Sequence, residues 1–331
     1  MQTVQLPTTD TSGLFHNVRE FEMKFYQKHA KCVRRILSVI IPSRSLRYKV
    51  CGILKSDDTI CRVVENNRAM CRKNAAFLKS EPCIPLLAIC AIIKDEGPYL
   101  REWIEYHKLH GVDKIYIYDN ESADDTVQIL APYIADGLVE YKYFPGKRMQ
   151  LPAYRDCIKN HCNDVKWIMF IDLDEFVVPH KNKSLRGILN QQPKNVGQIS
   201  MAWLRFGSNG HIRRPSGLVI ENYTRRGRKI TNCKSIVNPR VVKAPFVHVG
   251  DVANKTVFIR CKTLRVNHYY CKSWQEYQRR KHRGDALLGD KFARDTFNKS
   301  DFDRRDKNDI RDTDIFRYLP ELKSAMAGKR K

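Results

Sequence analysis

Trp167-Ile168-Met169-Phe170-Ile171-Asp172-Leu173-Asp174-Glu175-Phe176 is an apolar run that ends abruptly in two carboxylates two residues apart. Side chains on a strand alternate between faces, so Asp172 and Asp174 point to one side at the end of a buried element. Hard oxygens in that position can hold a cation and, through it, a phosphate. Upstream, Leu86 to Ile93 is a continuous apolar run of strand length, followed by the turn Lys94-Asp95-Glu96-Gly97-Pro98. Leu100, Trp103, Ile104 and His107 then recur at helical spacing until Gly111, which is placed to stop a helix. The pattern continues with a strand (Lys114 to Tyr118), a polar turn (Asp119 to Ser122) and a helix from about Asp124 to Ala135. A strand (Leu138 to Phe144) and a helix around Leu151 to His161 lead into the opening stretch. Strands alternating with helices at this spacing predict an α/β fold: a Rossmann-like, mainly parallel twisted sheet flanked by helices.

In such sheets ligands gather at the carboxyl ends of the strands. Those ends carry Lys94, Asp95 and Glu96, then Asp119 and Asn120, then Asp172, Asp174 and Glu175. Each of these alone can serve as a turn or helix cap. Acids on three strand ends of one sheet edge, in a chain of formal charge +24, point to a ligand site.

The charge predicts attraction to something anionic: nucleic acid, an acidic membrane surface or a phosphorylated substrate. A nucleic-acid partner is disfavoured, because no zinc-finger spacing, recognition module or basic stripe interleaved with stacking aromatics is present. At 331 residues the chain divides into a basic N-terminal extension, expected to be mainly helical (1–83), a main domain (84–290) and a polar C-terminal extension (291–331). Within the first, Lys31, Arg34, Arg35, Arg44, Arg47, Lys49 and Lys55 surround Ile36 to Pro42 without an acidic residue. That mixture suits either an anionic membrane surface or a helical appendage with solvated lysines. Eleven cysteines contain no CxxC pair, which predicts reduced, structural thiols and a cytosolic chain. Neither a secretory signal nor a run long enough to span a bilayer is evident. The expected location is therefore the cytoplasm, with the inner membrane surface as a resting place.

Five blocks of the main domain resemble the GT-A glycosyltransferases, nearest to family 92 and the family 2-like group. They are Ile92-Ile93-Lys94-Asp95-Glu96 with Leu100 to His107, Tyr118 to Ser122, Phe170 to Phe176, Trp203 to Gly210, and Asn267 to Ser273. The resemblance implies that Asp172 and Asp174 hold Mn2+ or Mg2+ against the diphosphate of a UDP-sugar, with His268 completing the metal shell. An imidazole ligand favours manganese. It further implies that Lys94, Glu96, Asp119 and Arg155 line the nucleotide pocket, and it suggests galactose as the sugar. Trp203 suits a platform for a sugar ring. Arg279, Arg280, Lys281 and Arg283 lie on an expected helix, and one or more of them, Lys281 included, is a candidate diphosphate contact.

An inverting transfer needs a carboxylate base for the acceptor hydroxyl. Glu221, the single acid between Phe176 and Gly250, is the first candidate and Asp251 the second. Surrounding cations lower a carboxylate's pKa and weaken it as a base, which counts against Glu221 unless burial opposes them. The function expected is a metal-dependent hexosyltransferase that extends a glycan or glycolipid acceptor in surface-polysaccharide or lipopolysaccharide synthesis. The competing classes are a metal-dependent phosphodiesterase or nuclease and a non-catalytic nucleic-acid- or glycan-binding protein. The first would need more clustered His and Asp ligands than one DxD and one late histidine supply.

Overall fold

A computed structural model describes residues 85–181, 183–253 and 257–328. The basic extension, with its Lys31 to Lys55 segment, lies outside the described residues. Strand β1 (Leu87–Ile93) leads through α1 (Gly97–Leu109) to β2 (Lys114–Asp119). Next come α2 (Thr126–Ala135), β3 (Val139–Tyr143), α3 (Gln150–His161) and β4 (Trp167–Phe170). The chain continues through β5 (Glu175–Pro179), α4 (Leu185–Asn190), β6 (Val196–Arg205), α5 (Val219–Asn222), β7 (Arg225–Arg226) and β8 (Asn232–Val237). It closes with β9 (Val242–Ala244), β10 (Asp251–Val252), β11 (Val257–His268), α6 (Trp274–Arg283), α7 (Asp290–Thr296), α8 (Lys299–Arg305), β12 (Ile310–Arg311) and α9 (Leu319–Met326).

The main sheet has the order β3-β2-β1-β4-β8-β6-β11-β5. Pairings β3-β2, β2-β1, β1-β4 and β6-β11 are parallel, while β8 and β5 run against their neighbours. The mainly parallel sheet expected from the alternating pattern is therefore present, with two reversed strands that the pattern did not announce.

Strand alternation explains how both faces are filled. On β1, Leu87, Ile89, Ala91 and Ile93 pack on one side with Leu100, Trp103 and Ile104 of α1. Ala88, Cys90 and Ile92 pack on the other with Ala153, Tyr154, Cys157 and Ile158 of α3. A strand buried on both faces reads as an unbroken apolar run, which is why β1 and β4 show none of the apolar-polar alternation of a surface strand. Helix α1 begins with Pro98 in its first turn, where a missing N–H costs nothing, and its chain turns away at Gly111 with φ of 80°.

The segment after residue 290, set apart in sequence as polar, folds onto the main domain. Ile315 and Leu322 enter the principal core. Asp312 receives Arg226 at 2.6 Å and both terminal nitrogens of Arg265, at 2.9 and 2.7 Å. β12 pairs with β7. The six cysteines among the described residues are free. Among the described residues no helix is long and apolar enough to cross a membrane.

Candidate active site

A cavity of about 470 Å³ opens at the carboxyl ends of β1, β2 and β4. Its lining includes Lys94, Glu96, Asp172, Asp174, Trp203 and His268, six of the residues expected at the site. Left-handed backbone concentrates at this edge: Asp95, Glu121 and Arg148 have φ of 50°, 67° and 58°. Strained non-glycine residues persist only where the surroundings over-determine them, and such positions cluster at functional sites.

The two acids of the opening stretch are held differently. Asp172, with its side chain 34% exposed, accepts from Gln150 Nε2 at 3.1 Å and from Lys234 Nζ at 2.8 Å. Asp174 is buried; one oxygen faces His268 Nε2 at 3.3 Å and the other takes the Arg280 guanidinium. Burial opposes its ionisation, yet His268 and Arg280 hold its carboxyl well below the usual carboxylate range. Burial also lowers the His268 imidazole to about 4 against the pull of Asp174, leaving it neutral near pH 7. Near pH 7 the standing charges that keep Asp174 ionised are therefore Arg280 and Lys272, with His268 supplying a hydrogen bond.

Glu175 lies behind them, fully buried. Its carboxylate accepts from Trp203 Nε1 at 2.6 Å, from the Asp172 backbone N–H at 3.0 Å and from Lys234 Nζ at 3.1 Å. Burial pushes this carboxyl up and Lys234 opposes the rise, with the Asp172 and Asp174 charges adding to it. All three partners are donors, which is the environment of an ionised carboxylate. Burial disfavours the Lys234 ammonium too, but Asp172 and Glu175 together hold its pKa well above the usual value. Glu175 thus fixes Trp203 and Lys234 from beneath the cavity, and does not face it.

Asp174, Glu175 and His268 form a group whose ligand atoms lie within 4.8 Å of one another. His268 stacks on Trp203 at 4.1 Å, and its buried Nδ1 has no hydrogen-bond partner. A neutral imidazole beside an ionised carboxylate, at a cavity that Asp172 also lines, suits a divalent cation such as Mn2+. The residues present therefore fit a metal.

Other expected site residues lie elsewhere. Asp119 is buried and does not line the cavity: its oxygens accept from the Ser122 N–H at 2.9 Å and Tyr141 Oη at 2.8 Å, so it shapes the turn that presents Asn120 and Glu121. Arg155 and Lys281 are exposed and outside the lining. Glu221 also lies outside it, with Lys323 of α9 at 2.6 Å, and Asp251 is exposed on β10. Neither candidate base is brought to the cavity.

The glycosyltransferase family 92 profile matches residues 89–325. The chain belongs to glycosyltransferase family 92. A family 92 protein of rice (Oryza sativa subsp. japonica) is 27% identical over 201 residues, covering 58% of this chain and 34% of its own length. The beta-1,4-galactosyltransferase galt-1 of Caenorhabditis elegans is 26% identical over 212 residues, covering 56% of this chain and 48% of its own. The chain thus spans about a third to a half of the length of these curated relatives. Among solved structures, GalNAc-T7 with UDP, GalNAc and Mn2+ gives a TM-score of 0.37 at 10% identity, covering 57% of this chain and 45% of that one. S. aureus TarS 1-349 gives 0.33 at 11%, covering 66% and 71%.

The family 92 site contains residues that sequence reasoning passed over. These are Lys234, His248, Tyr270 and Gln150; of the four basic candidates on α6, Arg280 and Arg283 line the cavity and Arg279 and Lys281 do not. Helical spacing was a usable signal on α6: its buried residues include Glu276, and steps of four and seven residues from it reach Arg280 and Arg283 on the same face. No local signal marks Lys234, because its partners Asp172 and Glu175 lie at least 59 positions earlier, at the turn between β4 and β5 and the start of β5.

Proposed function

We propose that the chain is a metal-dependent glycosyltransferase that moves a hexose, galactose in the first instance, from a UDP-sugar to a glycan acceptor. The observation that carries this is the convergence of Asp172, Asp174 and His268 in one cavity whose rim also bears Lys94, Arg148, Arg280 and Arg283. Carboxylates flanked by cations suit a ligand that brings both a divalent metal and a diphosphate. Galactose is supported by one relative named as a galactosyltransferase.

A divalent cation held by Asp172, Asp174 and His268 would neutralise the charge that develops on the departing diphosphate. The chain's own groups prepare that chemistry. Lys234 and Gln150 fix the Asp172 carboxylate by hydrogen bonds to its two separate oxygens. Trp203, anchored to Glu175, backs the His268 ring and offers its remaining surface to the cavity. Arg283 is held at 2.7 Å by Glu96, and Arg280 by Asp174, so both guanidiniums are aimed before a phosphate arrives.

A panel of nucleotide sugars incubated with Mn2+ tests the reading through donor hydrolysis and protection from thermal unfolding. UDP-galactose is expected to give the largest response. Silence toward every UDP-sugar, or a response unchanged in Asp174→Ala, would overturn it.

A further inference from the structure

Beside the cavity, three guanidinium groups converge on one ring. Arg280, Arg305 and Arg205 lie 4.3, 5.1 and 5.3 Å from the centre of Tyr270. Arg205 also lies 5.6 Å from the centre of Trp203. Tyr270 and Trp203 line the cavity, and Arg205 and Arg305 lie against these rings rather than in the lining itself.

The carboxylates nearby do not balance these cations. Asp174 serves Arg280, and Asp301 is shared by Arg304, Arg305 and the Tyr277 hydroxyl. Asp306 is occupied by the backbone N–H and hydroxyl of Ser208. Among the described residues no carboxylate lies within ion-pair distance of Arg205, and its Nε is buried without a hydrogen-bond partner. Burial and the charges of Arg305 and Arg304 lower its pKa, so its surroundings work against the charge it carries. A cation bound at Asp174 would compete with Arg280 for that carboxylate and leave the cluster still shorter of negative charge. Half-buried guanidiniums gathered on an aromatic face without enough counter-ions are completed by an oxyanion, which they bind through paired N–H groups.

We propose that Arg205 and Arg305, stacked on Tyr270, form an acceptor subsite for an oxyanion, so that the acceptor glycan carries a carboxylate or phosphate group. The proposal rests on the glycosyltransferase reading and adds the chemical class of the acceptor. The subsite adjoins the metal-binding end without being part of it: Trp203 stacks on His268, and Arg205 lies over Trp203. An acidic group seated there would hold its sugar against the aromatic pair, next to the transferred hexose.

Calorimetry on the full chain with Mn2+, with and without UDP, separates the possibilities. The probes are methyl β-glucuronide, galactose 6-phosphate and the neutral methyl β-galactoside. At least one acid is expected to bind about tenfold more tightly than the neutral sugar. Which acid does so distinguishes a carboxylate-bearing from a phosphate-bearing acceptor. Arg205→Met and Arg305→Met should each abolish the preference while UDP affinity stays within about twofold, and Arg205→Lys should keep part of it. Arg305→Met decides the matter if Arg205→Met does not fold. Equal binding of acids and neutral sugar overturns the subsite. So does a loss of UDP affinity in Arg205→Met with the acid preference intact, which would assign the cluster to the donor diphosphate. Failure of the parent chain to bind UDP removes the donor reading instead, and the acid-to-neutral ratio measured without UDP still decides the subsite.

Discussion

Asp174, Glu175 and Lys234 are 3%, 0% and 1% exposed at the cavity edge, and His107 on α1 is 0% exposed a short way along the same sheet. The first three carry charge in a closed set of partners. His107 carries none: its Nδ1–H donates to the Trp103 carbonyl at 2.9 Å, its ring packs against those of Trp103 and Phe176, and its Nε2 has no hydrogen-bond partner. His110, one turn later, repeats the arrangement with the Tyr106 carbonyl at 2.7 Å. The two regions touch, since Trp103 Nε1 donates to the Glu175 carbonyl at 2.9 Å. Equal burial thus serves opposite ends. Where a ligand must be met by charge, the fold keeps ions buried in pairs that the ligand can rearrange; where only packing is needed, it leaves titratable groups neutral.

The sharpest way to break this contrast is Lys234→Met. Removing one partner of a buried ion set leaves the others uncompensated, at a cost of about 3–5 kcal/mol. Urea unfolding should show that loss, and adding Glu175→Gln to Lys234→Met should recover part of it. A single-variant cost under about 1 kcal/mol would mean that Glu175 is already neutral and the set is not ionic. Next in size, Asp174→Asn should lower UDP-sugar turnover by about 10²–10³ while the fold is retained, in the range of losing one preorganised electrostatic contact. Turnover within about threefold of the parent would detach the cavity from the reaction.

The neutral side of the comparison is tested by pH. Burial lowers His107 to about 3 and His110 to about 4, below an unfolded value of about 6.5. A histidine depressed in the fold contributes stability that is complete above the unfolded pKa and is lost as pH falls toward the folded one. Each should therefore cost up to about 1.4 kcal/mol per pH unit below pH 6.5. Glu102 slopes the other way. Burial raises it to about 7 although it accepts the N–H groups of Val219 and Ile220, so its effect is a loss as pH rises from about 4.5 to 7. The clean measurement is the difference between parent and His107→Phe: the variant's urea midpoint should fall less between pH 7 and pH 5. Parallel losses in the two proteins would show that His107 is not held neutral.

The same contrast explains what could be read in the sequence. Strands β1, β2 and β4 and helices α1 and α3 were legible because their periodicity is set by burial, which acts on neighbouring residues. Asp172 and Asp174 stood out because they end an apolar run, whereas His268 stood out only through the family resemblance. Lys234 was not, since it stands in Asn232-Cys233-Lys234-Ser235 like any lysine of a basic stretch. It acquires meaning only when β8 pairs against β4 and β6. The tail past residue 290 misled in the same way: its charged residues are conspicuous, whereas Ile315 and Leu322, the side chains that fasten it, are few.

Glu221 shows the limit most directly, and carries the smallest expected effect. A lone acid in a basic stretch can be either a candidate base or the centre of a salt bridge. Here it makes a contact with Lys323 at 2.6 Å, between side chains 36% and 55% exposed, joining α5 to α9 away from the cavity. An ion pair so accessible to water contributes about 0–1 kcal/mol. Glu221→Gln should accordingly shift the urea midpoint slightly and leave UDP-sugar turnover within about twofold of the parent. If turnover instead collapsed while the fold held, the acceptor hydroxyl would have to reach Glu221, and the reacting geometry would extend beyond the cavity that Asp172 and Asp174 define.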